Sequence, residues 1–177
     1  MTVAVVALSL LCLGNLILTV GMLRRLREHT AALDRLAGDP PAVMRPPGTV
    51  IEDFTASTVD GTSLGRDRLD ARTPVGFFSP SCQSCREQLP AFVARAGQAP
   101  SGRTLAMVVG SGTAAGDLAT DLADRLAGHF VVLEPPGGPV ATAFDVDGSP
   151  AFALVGPGGR IEASGFDLAT IPILVAA

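Results

Sequence analysis

The chain has 177 residues, a formal net charge of -4, 47% hydrophobic residues and 17% charged ones; its mean hydropathy of +0.41 is too apolar for an ordinary soluble domain. All 13 basic side chains are arginine and there is no Trp or Tyr, so the basic surplus and aromatic platform of a nucleic-acid binder are both missing and nucleic acid is not an expected partner. Three cysteines, Cys12, Cys82 and Cys85, are too few for a disulfide-stapled scaffold, and the length predicts one domain plus an appendage.

Residues 3–23 carry no charge, and as a helix rising 1.5 Å per residue they reach about 31 Å, enough to cross a bilayer. This predicts a transmembrane anchor. The rival, a cleaved signal peptide, lacks a basic segment before the apolar run and a small-residue cleavage site close after it. Cys12, in mid-span after Ser9-Leu10-Leu11, is not a lipobox cysteine and reads as a small apolar residue. Leu23, Leu26, Thr30, Leu33 and Leu36 then recur at helical spacing, which predicts an amphipathic stalk or a weak self-association face. Pro40, Pro41, Pro46, Pro47 and Gly48 end any helix and form a semi-rigid linker. The expected organisation is anchor 1–23, stalk and linker 24–48, and a folded domain 49–177.

The domain opens with VIEDFTASTVDGTSL, which reads as two short strands about the turn Asp60-Gly61. Strand and helix patterns then alternate. A strand is expected over 75–78, a helix from about Cys82, a strand over 104–109, and a helix over 114–127 with Leu118, Leu122 and Leu126 on one face. After it come a strand over 131–134, a short helix near PVATAF, a strand over 151–155, the turn GPGG and a strand RIEAS. Such a β-α-β-α-β series closing in a hairpin predicts an α/β domain with a small mixed sheet covered by helices on both faces.

The chemistry lies in GFFSPSCQSCREQLPAF, where two cysteines three residues apart fall at a strand-to-helix junction. With Cys82 at the helix N-terminus its thiolate would face unpaired N–H groups and the positive end of the dipole, lowering its pKa from about 8.5 towards neutrality. Cys82 is therefore the expected attacking sulfur, and Cys85, one turn in and less exposed, resolves the mixed disulfide. The cycle needs no metal and no organic cofactor, only an electron donor or acceptor.

Other readings use the same residues. A structural zinc site needs two further ligands, and with Cys12 in the membrane only His29 and His129 remain. A copper chaperone has no more support. A purely structural disulfide at this spacing closes a tiny loop and adds little stability. A peroxidase reading would use Ser79 and Cys82, but Pro74 is one residue out of register and Cys85 is left unexplained. Separately, Ser149-Pro150 precedes the strand over 151–155; a proline there marks either a plain edge start or a cis bond. A cis bond would leave the Ser149 backbone free to pair with an extended peptide beside the sulfurs.

With these pieces the sequence resembles the thioredoxin superfamily, and within it the membrane-anchored TlpA/ResA-type thiol–disulfide oxidoreductases. It is most similar to the MauD-like accessory proteins of methylamine dehydrogenase maturation. The resemblance runs from about Pro47 to Phe166 and is carried by Phe54 with Asp60-Gly61, by Cys82-Gln83-Ser84-Cys85 with Pro90, and by Gly148-Ser149-Pro150 before a glycine-rich hairpin. It implies a thioredoxin-like fold in which Cys82 is the nucleophile, Cys85 resolves, Pro90 kinks the active-site helix, and Pro150 is cis and borders a substrate groove; Ser149 and Ser81 are the other expected substrate-binding residues. It implies as partners a client protein bearing cysteine thiols or a disulfide, exported or a metalloenzyme, and a membrane or soluble redox partner that supplies electrons.

The sequence also departs from that pattern. Ser81 stands where most relatives carry an aromatic residue, and Gly76 stands where thioredoxin has a buried acid. Proton transfer to Cys85 must then pass through water or another acid; Glu87 and Glu134 are candidates, although a helix-surface and a strand-end carboxylate are more often plain solvated charges. After Phe166 the remaining DLATIPILVAA is too short for a well-made terminal helix. Arg24, Arg25 and Arg27 follow the anchor with nothing basic before it, which argues for a cytoplasmic domain; the resemblance places the domain on the extracytoplasmic side, and long domains translocate despite flanking charge. Two function classes follow: a tethered protein disulfide oxidoreductase, and a thioredoxin-fold assembly factor that holds its client with the cysteines secondary.

Overall fold

The computed structural model describes residues 43–69, 72–100 and 103–172, together with residues 13–16, 19, 21, 22 and 25, which are helical. Among the described residues no helix is long and apolar enough to cross a membrane. Most of the expected anchor over 3–23, with Cys12, and most of the stalk and linker, with Arg24, Arg27, His29, Pro40 and Pro41, lie outside the described residues. The chain divides into two units, Met1–Pro41 and Ala42–Ala177, and the fold belongs to the second.

The expected hairpin is present as β1 (Thr55–Ser57) and β2 (Ser63–Gly65), antiparallel with Ser57 opposite Ser63. Its turn is held by Asp60, whose Oδ1 accepts the Thr62 N–H at 3.0 Å and the Thr58 hydroxyl. These hydrogen bonds hold the Asp60 carboxyl below its ordinary range. Gly61 takes φ 85°, the left-handed conformation such a turn requires.

The main sheet comprises β3 (Thr73–Phe78), β4 (Leu105–Val109), β5 (Phe130–Glu134), β6 (Ala151–Gly156) and β7 (Arg160–Gly165) in the order β5-β4-β3-β6-β7. Strands β3, β4 and β5 run parallel, and β6 and β7 are antiparallel to their neighbours. The C-terminal ends of β3 to β5 and the start of β6 therefore share one edge, where both the cysteine segment and the Ser149-Pro150 loop emerge. Strand β3 begins two residues earlier than the sequence predicts and includes Pro74, which faces Leu154 of β6. The β4 ladder starts only at Val75, so the missing proline N–H breaks no bond on that side.

Strand alternation divides the core into two layers. Val75, Phe77, Leu105, Met107, Ala153 and Val155 point to the face that carries α3 (Pro139–Phe144) and the hairpin. Phe78, Ala106, Val108, Phe152 and Leu154 point to the face that carries α1 (Gln83–Ala96) and α2 (Thr113–Arg125). Helix α1 buries Cys85, Leu89, Phe92 and Ala96, one stripe at helical spacing. Helix α2 buries Ala115, Ala119 and Leu122, while Leu118 is only half-buried.

The folded unit starts ahead of the expected Thr49. Met44 is 2% exposed in the first core layer, the Arg45 N–H donates to Phe144 O at 2.9 Å, and Val43 O accepts from the Asp147 N–H at 3.0 Å. Two apolar residues between the prolines thus anchor part of the linker to α3. After β7 the described residues form a 3-10 turn, Leu168–Thr170, and Leu168 and the following Ile171 are buried against the α1 layer.

Candidate active site

Cys82 follows the turn after β3 and serves as N-cap of α1, with φ -87° and ψ 116°. Its Sγ accepts the Cys85 N–H at 3.1 Å, one of the orphan donors of a helix start. Cys82 and Cys85 are joined by a disulfide with Cα atoms 5.2 Å apart. Cys82 is half-buried and Cys85 is 2% exposed. An N–H aimed at Cys82 Sγ and the positive end of α1 behind it stabilise negative charge on that sulfur when the bond opens, and exposure leaves Cys82 as the sulfur a partner can reach.

The Ser149 carbonyl oxygen lies 3.3 Å from Cys82 Sγ. The Ser149-Pro150 bond is cis, Pro150 is buried and Ser149 is half-buried. The loop therefore borders the reactive sulfur, with its carbonyl turned onto it rather than outward. Ser81 is exposed beside Cys82, and its hydroxyl lies 3.1 Å from that of Ser79. The structure thus brings Cys82, Cys85, Ser81, Ser149 and Pro150 to one edge of the sheet. Pro90 lies within α1, exposed, with no N–H to offer the Arg86 carbonyl.

The two carboxylates considered for proton transfer go elsewhere. Glu87 is exposed and accepts from Gln83 Nε2 at 3.1 Å. Glu134 is not the solvated strand-end charge expected of it: it is 5% exposed, and its carboxylate accepts the N–H groups of Ala141 at 2.7 Å and Val140 at 3.1 Å. The reason is the turn that follows: the chain doubles back over the end of β5 within six residues and leaves the first N–H groups of α3 needing acceptors. Burial raises the Glu134 pKa, partly offset by those two hydrogen bonds. His129, a candidate zinc ligand, sits at the opposite end of the sheet before β5; burial depresses its pKa. Among the described residues no group of three or more His, Cys, Asp or Glu side chains is placed to hold a metal ion.

Gly76 has a steric explanation. A Cβ there would stand 2.8 Å from ring atoms of both Phe78 and Phe92. These rings meet edge to face at 5.1 Å, and Phe152 completes the cluster at 5.8 Å from Phe78. The volume beneath the cysteines that an acid would need is occupied by aromatic carbon.

Sequence reasoning missed Gln88. Its Nε2 donates to Phe166 O at 3.1 Å and its Oε1 accepts the Leu168 N–H at 2.8 Å, so α1 clamps the segment after β7; a lone glutamine on a helix gives no sign of this. Also missed is an apolar cavity beside Cys85, between the starts of α1 and α2.

Neither a family model nor a curated protein matches the chain. Solved structures do. The thioredoxin domain of a thiol-disulfide oxidoreductase from Bacteroides vulgatus is 20% identical, with 68% of this chain and 88% of that one covered at a TM-score of 0.53. A secreted disulfide oxidoreductase of Mycobacterium tuberculosis is 17% identical, covering 64% and 83% at 0.52. A thio-disulfide isomerase from Thermus thermophilus is 17% identical, covering 69% and 87% at 0.53. At these identities the likeness is one of fold, and the fold of this domain is thioredoxin-like.

Proposed function

We propose that the domain is a protein thiol–disulfide oxidoreductase in which Cys82 exchanges with a client and Cys85 resolves. One observation carries the reading: a disulfide whose outer sulfur caps a helix, takes a backbone N–H and lies against the Ser149 carbonyl, while its inner sulfur is buried. In the reducing direction the Cys82 thiolate attacks a client disulfide, forming the Cys82–client bond as the client's second sulfur leaves with the electron pair and takes a proton from water. Cys85 then attacks Cys82 Sγ, restoring the internal bond and releasing the reduced client. The reverse sequence oxidises a client.

The finer reading rests on the sequence. Residues 3–23, uncharged throughout, tether the domain to the cell membrane, and the domain acts on its extracytoplasmic side on cysteines of an exported or metalloenzyme client, as the MauD-like segment FFSPSCQSCREQLP suggests. A membrane or soluble redox partner supplies the electrons.

Equilibration of the full chain with graded glutathione mixtures tests the chemistry. The reading requires smooth interconversion of bridged and free forms, and no interconversion refutes it. A Cys85→Ser variant should accumulate a mixed disulfide with the client through Cys82, whereas full rescue of a deletion strain by Cys82→Ser would favour a holding role over exchange. A membrane-impermeant thiol reagent that labels Cys82 only after cell lysis would overturn the extracytoplasmic placement.

A further inference from the structure

Between the starts of α1 and α2 lies a cavity of about 320 Å³, the floor of the range for small-molecule sites and roomy for a single side chain. Phe78, Pro80, Leu89 and Leu118 line it, Ala114 stands at its edge, and Cys85 forms part of its wall. Its charged lining residues among those described, Arg86 and Asp117, are both exposed. This is an apolar interior with a polar rim, the layout of an anchor pocket in a protein interface.

The cavity is built in. A Cβ on Gly110 would stand 3.4 Å from Pro80 Cδ and 3.1 Å from Ala115 Cβ, so the loop before Cys82 and the start of α2 close over that glycine and hold the two walls together. The rim towards the reactive sulfur is polar, since Ser79 and Ser81 pair their hydroxyls at 3.1 Å. An apolar residue of a docked polypeptide thus finds no matching surface on Ser81 and finds one in the cavity. A client sulfur bonded to Cys82 Sγ is attached to the atom that bonds Cys85 Sγ, so residues flanking the client cysteine fall within side-chain reach of the cavity.

We propose that this cavity receives an apolar side chain, aromatic or leucine-like, flanking the client's cysteine, and thereby selects clients. The proposal rests on the oxidoreductase reading. It assigns substrate discrimination to the junction of α1 and α2, on the Cys85 side of the disulfide, in addition to the Ser149-Pro150 loop.

The test uses the full chain, reduced, with peptides Gly-Xaa-Cys-Gly as mixed disulfides with thionitrobenzoate, Xaa being Phe, Leu, Ser or Asp, and with the glutathione mixed disulfide as a small reference. Cys82 forms a bond to the peptide sulfur as thionitrobenzoate leaves with the electron pair and is read by its colour; Cys85 then releases the peptide thiol, so the protein dithiol is oxidised and the mixed disulfide reduced. Filling the cavity should favour Phe and Leu over Ser by about tenfold in second-order rate. Ala114→Phe, at an exposed position on the cavity's edge, should reduce that ratio to about one, and Ala114→Glu should do the same by charge. Equal rates for Phe and Ser peptides on the unsubstituted chain overturn the proposal alone, as does a ratio that survives both variants. A chain inert to the peptides and to the glutathione reagent overturns the oxidoreductase reading and the cavity's role together.

Discussion

The Ser149 carbonyl oxygen stands 3.3 Å from Cys82 Sγ, and the Cys85 N–H reaches the same sulfur at 3.1 Å. A thiol at Cys82 can donate to the carbonyl, whereas a thiolate is repelled by it and held by the N–H. The sulfur thus lies between an acceptor and a donor.

This arrangement makes the two cysteines unequal. With the disulfide reduced, brief alkylation by iodoacetamide should modify Cys82 at least about tenfold faster than Cys85, because thiolate character and access both favour the outer sulfur. Peptide mass spectrometry after a quenched pulse reads the ratio. Faster labelling of Cys85 would contradict the assigned roles.

Gly76 should resist substitution. Its missing Cβ leaves room for Phe78 and Phe92, each ring 2.8 Å from where that carbon would be, so Gly76→Ala forces the cluster apart and should lower stability by about 1–3 kcal/mol. Gly76→Asp should cost more, since it adds a carboxyl with no acceptor or donor partner among the rings. Urea denaturation measures both; an unchanged midpoint for Gly76→Ala would show that the rings yield freely.

Gln88 satisfies the Leu168 N–H and the Phe166 carbonyl, and Arg95 donates to Leu168 O at 2.6 Å. Gln88→Ala removes the first two partners, and leaving such groups unpaired costs about 1–3 kcal/mol. The loss should be local: amide hydrogen exchange at Leu168 should quicken well before that of β3 or β6. Undiminished protection of Leu168 would mean that Arg95 and the buried Leu168 side chain suffice.

Glu134 gives stability a pH dependence whose sign follows from its raised pKa. Between the ordinary glutamate value, about 4.3, and the higher folded value, the folded chain keeps a proton that the unfolded chain has released. Stability from this group is therefore full at acid pH and is lost as pH rises through the folded value. Glu134→Gln removes the titration, so the stability of the unsubstituted chain relative to that variant should decline from pH 4 to pH 8. Urea midpoints across that range decide the matter, and a difference that grows with pH would show that the Val140 and Ala141 N–H groups outweigh burial.

What the sequence alone determined is local. The Asp60-Gly61 turn, the strand and helix order, and the placing of Cys82 at a helix start with Cys85 one turn in all depend on side chains a few residues apart, where periodicity and turn chemistry act directly. Cys82 as N-cap and Cys85 in the first turn of α1 are neighbours by their spacing along the chain. Tertiary structure decided what the sulfurs meet. Ser149 reaches Cys82 only because β6 lies beside β3 in the sheet, and Gly76 is barred from carrying an acid by Phe92, which arrives on α1 from across the layer. The cavity beside Cys85 likewise exists only where α1 and α2 come side by side. Each of these depends on strand order and close packing between distant segments, and neither composition nor spacing along the chain encodes which distant atoms will fill a given space.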